Sequence, residues 1–423
     1  MPANLASKTT TAQDRREGRY AARHTLWTLS DLRRVKNCGR APQRNGVGVL
    51  IKVTEDAAGR HAGVGNVQHC GSVWACPVDS ATINARRQSD IERALSAWYR
   101  GSCGQTFGKV ALVTFTMRHN KTQGLAGLWD ALGDSWHLVA SGDGWTVDQS
   151  ELGVMVPGTV YKSGKRKGQK RADKIRIPII RVVEVTYGVN GWHVHIHALL
   201  LLPSSATDES VAALGSRMYS RWVGGLRARG LDATEFRGVD ARLLKGDPSL
   251  ALGEYFTKAT YSASHEVTGS GRKGSRMGGR TPFGILADIV DQERSIDAAR
   301  EDLALWHEYE RASKGRRQIE WSNGLRALLL PVEELVEVTD QELVDAAAGG
   351  DEVAEIDGAV WRLITSRRFD YKLLRAFERS NRNGWRLLWL YSDAAGSDSA
   401  AHWAEMLTHP DPVRRRIQTK DRL

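Results

Sequence analysis

Apolar and polar positions alternate along the chain in ways that divide it before any single residue is considered. Residues 26–35 have helical spacing and stop at Asn37-Cys38-Gly39, a helix-ending signal, while the first twenty or so residues are polar and read as a loose lead-in. Residues 47–54 read as a strand, and residues 80–98 place Ile83, Ile91, Leu95 and Trp98 at roughly helical spacing ahead of a Gly-rich turn. A strand is predicted over 110–117 and a helix over 125–138. Residues 177–187 and 192–202 are strand-like runs joined by Gly188-Val189-Asn190-Gly191, and Asn-Gly between two such runs is a hairpin signal. Helices are predicted over 207–229 and 250–261, followed by a flexible Gly, Ser and basic segment over 269–279. Helices mixed with an antiparallel hairpin predict an α+β fold.

Composition adds size and charge. With 423 residues, 41% hydrophobic and 26% charged, the chain can build two or three domains with real cores. The net charge is +11, yet residues 331–360 hold ten acidic side chains and no Lys or Arg, which leaves +21 on the remainder. Such an excess suits a polyanionic partner. Residues 161–176 carry eight Lys or Arg against one Asp, too polar to pack. They read as a mobile basic loop in which Lys165, Arg166, Lys167, Lys170 and Arg171 either contact DNA phosphates or simply remain solvated. No apolar run approaches a membrane span and no leader pattern opens the chain, so the expectation is a cytoplasmic protein with no membrane partner. The shift from acidic to Trp- and Arg-rich composition near the end suggests a separate helical domain. The expected division is 1–105 as a Cys-containing module, 106–330 as a central domain and 331–423 as a C-terminal acidic and helical domain.

The chemistry concentrates in Gly191-Trp192-His193-Val194-His195-Ile196-His197-Ala198-Leu199. Side chains alternate across a strand, so His193, His195 and His197 share one face. If residues 188–191 form the whole turn, Glu184 falls opposite His195; a two-residue turn at 190–191 would put it opposite His197. Either register places Glu184 on the histidine face. Two imidazoles and a carboxylate form a mixed N/O set suited to Mn²⁺ or Mg²⁺; a purely structural histidine cluster is the plain alternative. In Gly253-Glu254-Tyr255-Phe256-Thr257-Lys258, residues three apart on a helix lie about 60° apart, so Tyr255 and Lys258 share a face. A phenol needs a nearby cation to become a useful nucleophile.

These residues together resemble a known family. Val113-Thr114-Phe115-Thr116-Met117-Arg118-His119, His193-Val194-His195-Ile196-His197 and Tyr255-Phe256-Thr257-Lys258 resemble, in that order, the three motifs of HUH endonucleases. They are most similar to the rolling-circle replication initiators of actinobacterial plasmids and integrative elements. The likeness extends to the segments 70–78, 280–284 and 321–326, and so spans residues 35–330. It implies an antiparallel-sheet nicking domain, with His195 and His197 as paired metal ligands, Tyr255 as nucleophile, Lys258 as its helper and His193 as a neighbour. It further implies single-stranded DNA and its origin duplex as partners, a 5′-phosphotyrosine intermediate, and a free 3′-OH passed to a host polymerase working with a host helicase.

The cysteines suggest a second metal. Cys70 and Cys76 lie close to Asp79, with Cys38 upstream, and three thiolates plus a carboxylate can close a tetrahedral Zn²⁺ site. Initiators of this kind usually show CPxC here, so the fourth position is open to Asp79, His69 or water; inert buried thiols without zinc are the alternative. Cys103 has no ligand-like company. Three other functions compete with the nicking initiator. A relaxase or HUH transposase would share its chemistry. A HIT-type nucleotide hydrolase would use His195 as nucleophile, and a non-catalytic DNA-binding regulator would need neither tyrosine nor metal.

Overall fold

The computed structural model describes residues 12–43, 48–57, 59–101, 108–158, 160–161, 163–235, 237–249, 279–289, 295–330, 344 and 349–394. The chain folds as two compact units, one comprising Thr10–Ile83 and Val338–Leu423, the other Met1–Thr9 and Asn84–Glu337.

The first unit is discontinuous in sequence. Helices α1 (Ala12–Leu29) and α2 (Arg33–Asn37) lead to the hairpin of β1 (Val49–Asp56) and β2 (Gly59–Gly65), after which α3 (Pro77–Tyr99) begins. The free edge of β1 is completed by β10 (Asp351–Ile356), which pairs antiparallel from Val49↔Ile356 to Val53↔Asp351. Three short helices follow, α10 (Gly358–Ser366), α11 (Asp370–Arg379) and α12 (Asn381–Ala394). Trp361, Leu374, Phe377 and Leu388 from these helices pack with Val49, Ile51 and Val53 into one core. Residues 351–394 therefore belong to the unit of residues 10–83, in place of the separate C-terminal domain that composition suggested. The reason is burial: β1 presents an apolar face that β2 alone cannot cover.

The polar start of the chain also differs from expectation. Residues 12–20 are helical, within α1. They pair rather than dangle: Arg16 pairs with Glu378 and Gln13 accepts from Arg375 at 2.7 Å, and further along α1 Arg23 and His24 each reach Asp370 at 2.6 Å, all within this unit.

The second unit is built on a five-stranded antiparallel sheet in the order β8-β3-β7-β6-β9. Its strands are β3 (Lys109–Phe115), β6 (Ile179–Gly188), β7 (Gly191–Leu202), β8 (Val239–Leu243) and β9 (Ile319–Trp321). Helices α4 (Leu125–Val139), α5 (Gly142–Leu152), α6 (Asp208–Ala228), α7 (Pro282–Ile289), α8 (Ile296–Ser313) and α9 (Leu325–Leu329) surround it. Thr207 caps α6 through its side chain and Ser210, as its sequence position predicts. A two-stranded ribbon of β4 (Val154–Val156) and β5 (Lys174–Arg176) carries the basic segment.

One face of the sheet explains where the chemistry sits. Leu199 and Leu201 of β7, Val110 and Leu112 of β3, and Ile180 and Val182 of β6 pack against Ile91, Leu95 and Trp98 of α3 and Leu325 and Leu329 of α9. Toward the start of β7 the same face changes from leucine to His197, then His195 and His193. On the opposite face Phe115 meets Trp136 at 5.5 Å and Trp222 at 5.3 Å. The histidine strand is thus clamped from behind by aromatic packing and from the side by an apolar core.

Candidate active site and cysteine cluster

The β6–β7 hairpin fixes the register. Gly188 pairs with Gly191, Tyr187 with Trp192 and Glu184 with His195, so the turn spans all four residues from 188 to 191. Gly191 has φ +85°, a backbone region that favours glycine, and a Cβ there would lie 3.0 Å from Lys121 Cα. Glu184 Oε2 lies 2.9 Å from His195 Nε2 and 3.3 Å from His197 Nε2, so one carboxylate oxygen is shared by two imidazoles.

The neighbouring strand supplies a support that sequence reasoning left without a role. β3 pairs Thr114 with His197, and Thr114 Oγ1 lies 3.0 Å from His197 Nδ1. A hydroxyl can donate or accept. Thr114 therefore supports His197 either with its proton on Nε2, facing the carboxylate, or with its proton on Nδ1 and the Nε2 lone pair turned inward. His119, just beyond β3, stacks on His193 at 5.0 Å, and His193 stacks on His195 at 4.7 Å. The His119 Nδ1 donates to the Asn190 carbonyl at 3.0 Å, which ties the column to the hairpin turn. Thr114 and His119 both lie in the first of the three motifs; their roles follow from strand pairing, which spacing alone does not give.

The electrostatics suit a cation. Burial would raise the Glu184 carboxyl, but hydrogen bonds and charge from His195, then His197, override it and hold the group well below the ordinary carboxylate range. Burial lowers His197 against the upward pull of Glu184, and burial with like charge from His195 and His119 pushes His193 down to about 3. A lowered His197 and an ionised Glu184 both favour the deprotonated donors that metal ligation requires. Glu184, His195 and His197 offer donor atoms all within 4.8 Å of one another.

The cysteine cluster has a different construction. Cys38 follows α2, Cys70 lies in the loop after β2, and Cys76 and Asp79 sit at the start of α3. Asp79 Oδ2 accepts from Cys38 Sγ at 3.3 Å, Cys70 Sγ at 3.2 Å and the Gly71 amide at 3.0 Å, while Oδ1 meets His69 Nδ1 at 3.1 Å. The Cys38 and Cys76 sulfurs are 3.6 Å apart and both thiols are free. Burial would raise Asp79, but its bonds to His69, Cys70 and Gly71 bring it down to about 2. Burial would likewise raise Cys76, yet hydrogen bonds from Cys38 and Cys70 and the Arg23 charge hold it well below the ordinary thiol value. His69 therefore contacts Asp79 and stands behind it, and Asp79 is the residue that joins the three sulfurs.

With both clusters in view, comparison with known proteins becomes informative. The chain is 30% identical over 383 residues to "Protein rep" of Streptomyces lividans, covering 79% of this chain and 80% of that protein. The chain belongs to the Rep family. A second relative, "Neomycin resistance protein" of Streptomyces cyanogenus, is 34% identical over 164 residues, 37% of this chain and 34% of that protein. No family model and no solved structure matches.

In this Rep-family chain Tyr255, Lys258 and the predicted helix 250–261 lie outside the described residues, as does Cys103. Lys165, Arg166, Lys167, Lys170 and Arg171 are exposed, but on a more ordered element than a formless loop. Val160 bridges to Lys170, and the Arg171 guanidinium lies 4.4 Å from the centre of the Tyr161 ring. Among the described residues no helix is long and apolar enough to cross a membrane.

Proposed function

We propose that this chain initiates plasmid replication by the rolling-circle route, nicking one DNA strand in a metal-dependent reaction with Tyr255 as nucleophile. The kinship with a Rep protein supports the replication role. The observation that carries the chemistry is the single Glu184 oxygen shared by His195 and His197. An ion bound at about 2.1 Å by nitrogen and oxygen spaces such donors about 3.0–3.4 Å apart. The distances of 2.9 and 3.3 Å fit that spacing, and the donor set suits Mn²⁺ or Mg²⁺. When bound, the ion supplies Lewis-acid polarisation of the scissile phosphate.

The chain's own groups do the rest. The Tyr255 phenolic oxygen forms a bond to phosphorus as the bond from phosphorus to O3′ breaks. The phenolic proton passes to solvent, and the departing O3′ takes up a proton to become a free 3′-OH. The 5′ phosphate stays on the tyrosine. Lys258, three residues on in the sequence, would lower the cost of the phenolate. The exposed cations of the β4–β5 ribbon, Lys165, Arg166, Lys167, Lys170 and Arg171, neutralise backbone phosphates of single-stranded DNA near its origin duplex. Host helicase and polymerase would then extend the 3′ end.

The cysteine cluster holds structural Zn²⁺ in this reading. A tetrahedral ion sets S···S edges of about 3.8 Å and S···O edges of about 3.5 Å. The observed 3.6 Å and 3.2–3.3 Å are close to both.

A HIT-type hydrolase fits the geometry less well. It needs a nitrogen of His195 aimed at substrate, whereas Nε2 faces Glu184 and Nδ1 is buried with no hydrogen-bond partner among the described residues. A relaxase or transposase shares every step above and is separated by its DNA site. The test is a denaturing gel of the chain with labelled single-stranded origin DNA, in Mn²⁺ or EDTA, for wild type and Tyr255→Phe. The expected result is a metal-dependent adduct lost in the variant. A persisting adduct would reassign the nucleophile, and no adduct on any single strand would favour a non-catalytic regulator.

A further inference from the structure

Residues 358–394, which hold α10 to α12, carry eight Lys or Arg and three acidic side chains. Two of the acids are consumed internally. Asp370 accepts from Arg23 and His24 and is fully buried, and Glu378 pairs with Arg16 and Arg375. A groove of about 480 Å³ runs between α1, α11 and α12, and its lining includes Lys372, Arg375, Arg379 and Arg386 against a single acid, Glu17. Lys372, Arg379 and Arg386 are exposed, and neither arginine has an ion-pair partner among the described residues. The buried pairs position these cations. Glu378 holds Arg375, while Gly384 lets α12 cross directly over Phe377, where a Cβ would meet the ring at 2.3 Å.

We propose that this groove binds the phosphate backbone of duplex DNA. The proposal rests on the preceding reading only in taking DNA as the polyanion. Single-strand sites join a basic track to aromatic platforms on which bases stack. Here Trp361, Tyr371, Phe377, Trp385 and Tyr391 are all buried in the core of their own unit. The groove lining is cationic, polar and aliphatic apart from Tyr371, which is only 6% exposed, and Leu390 is 52% exposed, so the groove can neutralise phosphates but offers no open ring face to an unpaired base. Lys372 and Arg379 stand seven residues apart on α11, about 10 Å along the axis and on one face, so the two cations can reach separate phosphates of one backbone.

The test compares two double variants with equal loss of charge, R379A/R386A in the groove and R362A/R367A on exposed positions outside it. Fluorescence anisotropy with a 30-base-pair duplex and with a 30-nucleotide single strand is read across a salt series, alongside adduct yield. The groove variant should weaken duplex binding about tenfold at 0.15 M salt and reduce the log–log salt slope by about 1.8, an increment of about 0.9 for each phosphate no longer neutralised. The outer variant should change both far less, and single-strand adduct yield should stay at the wild-type level in each. Unchanged duplex binding, an equal loss in the outer variant, or a loss confined to single strands would each overturn the proposal. Absence of adduct in every protein, with the groove effect intact, would instead strike the nickase reading and leave the groove standing.

Discussion

The His/Glu and Cys/Asp clusters each gather donor atoms within 4.8 Å, yet they are built for different work. Glu184, His195 and His197 come from two adjacent strands, where the β6–β7 pairing fixes Glu184 opposite His195 and β3 pairs His197 from the other side. They supply three donors, and the Glu184 side chain is still 22% exposed. Cys38, Cys70, Cys76 and Asp79 come from separated stretches of chain, supply four donors, and are at most 4% exposed. An incomplete, accessible set leaves a position for substrate, whereas a complete, sealed set ties chain segments together. The contrast predicts that the sheet keeps its fold without its cluster and that the loops around Cys70 lose theirs.

That contrast can be broken by substitution. The largest effect is expected for Asp79→Ala, which strips the acceptor from Cys38, Cys70, His69 and the Gly71 amide. It should cost about 3–5 kcal/mol in urea unfolding, because several buried donors lose their shared acceptor at once, and should reduce bound zinc measured by elemental analysis. Wild-type stability in this variant would show that the cluster braces nothing. Glu184→Gln should lower metal-dependent adduct yield about a hundredfold and shift unfolding by less than about 1 kcal/mol. A stability loss as large as that of Asp79→Ala would erase the distinction between the two sites. Thr114→Val should weaken the Mn²⁺ dependence of adduct formation about tenfold, because His197 loses the partner of its Nδ1; zinc content should not change.

The smallest effect concerns acid. Burial would raise Asp370, but its bonds to His24 and Arg23 hold it below its ordinary 3.8. A depressed carboxyl contributes stability that is complete above the unfolded value and disappears as pH falls through the lower folded value. Acid unfolding of the unit holding α1 and α11 should therefore shift to higher pH in Asp370→Asn, followed by circular dichroism. An unchanged acid limb would remove Asp370 from its acid response.

Much of the histidine strand was legible because period-two patterning and an Asn-Gly turn are local signals. They placed Glu184 on the histidine face and left two registers, of which the four-residue turn formed. The pairing of Thr114 with His197 depends on strands some eighty residues apart and leaves no local mark. The same limit hid β10. Its Asp351, Glu352 and Glu355 made the segment read as merely acidic, although Val353, Ala354 and Ile356 are buried against β1. Helix α1 was missed for a related reason: its polar residues are satisfied by partners near the other end of the sequence, Asp370 and Glu378.

The pairing of Val49 with Ile356 also sets a timetable for synthesis. At about 5–20 residues per second, a ribosome needs roughly 15–60 s to travel from one to the other. During that interval the β1–β2 hairpin waits with an unpaired edge and its apolar face uncovered, while the whole of Asn84–Glu337 emerges and can fold. The chain therefore makes its five-stranded sheet before it can close the sheet it began with. A message broken after residue 337 would release a product with an open strand edge, the kind of surface that quality-control proteases and aggregation both find first.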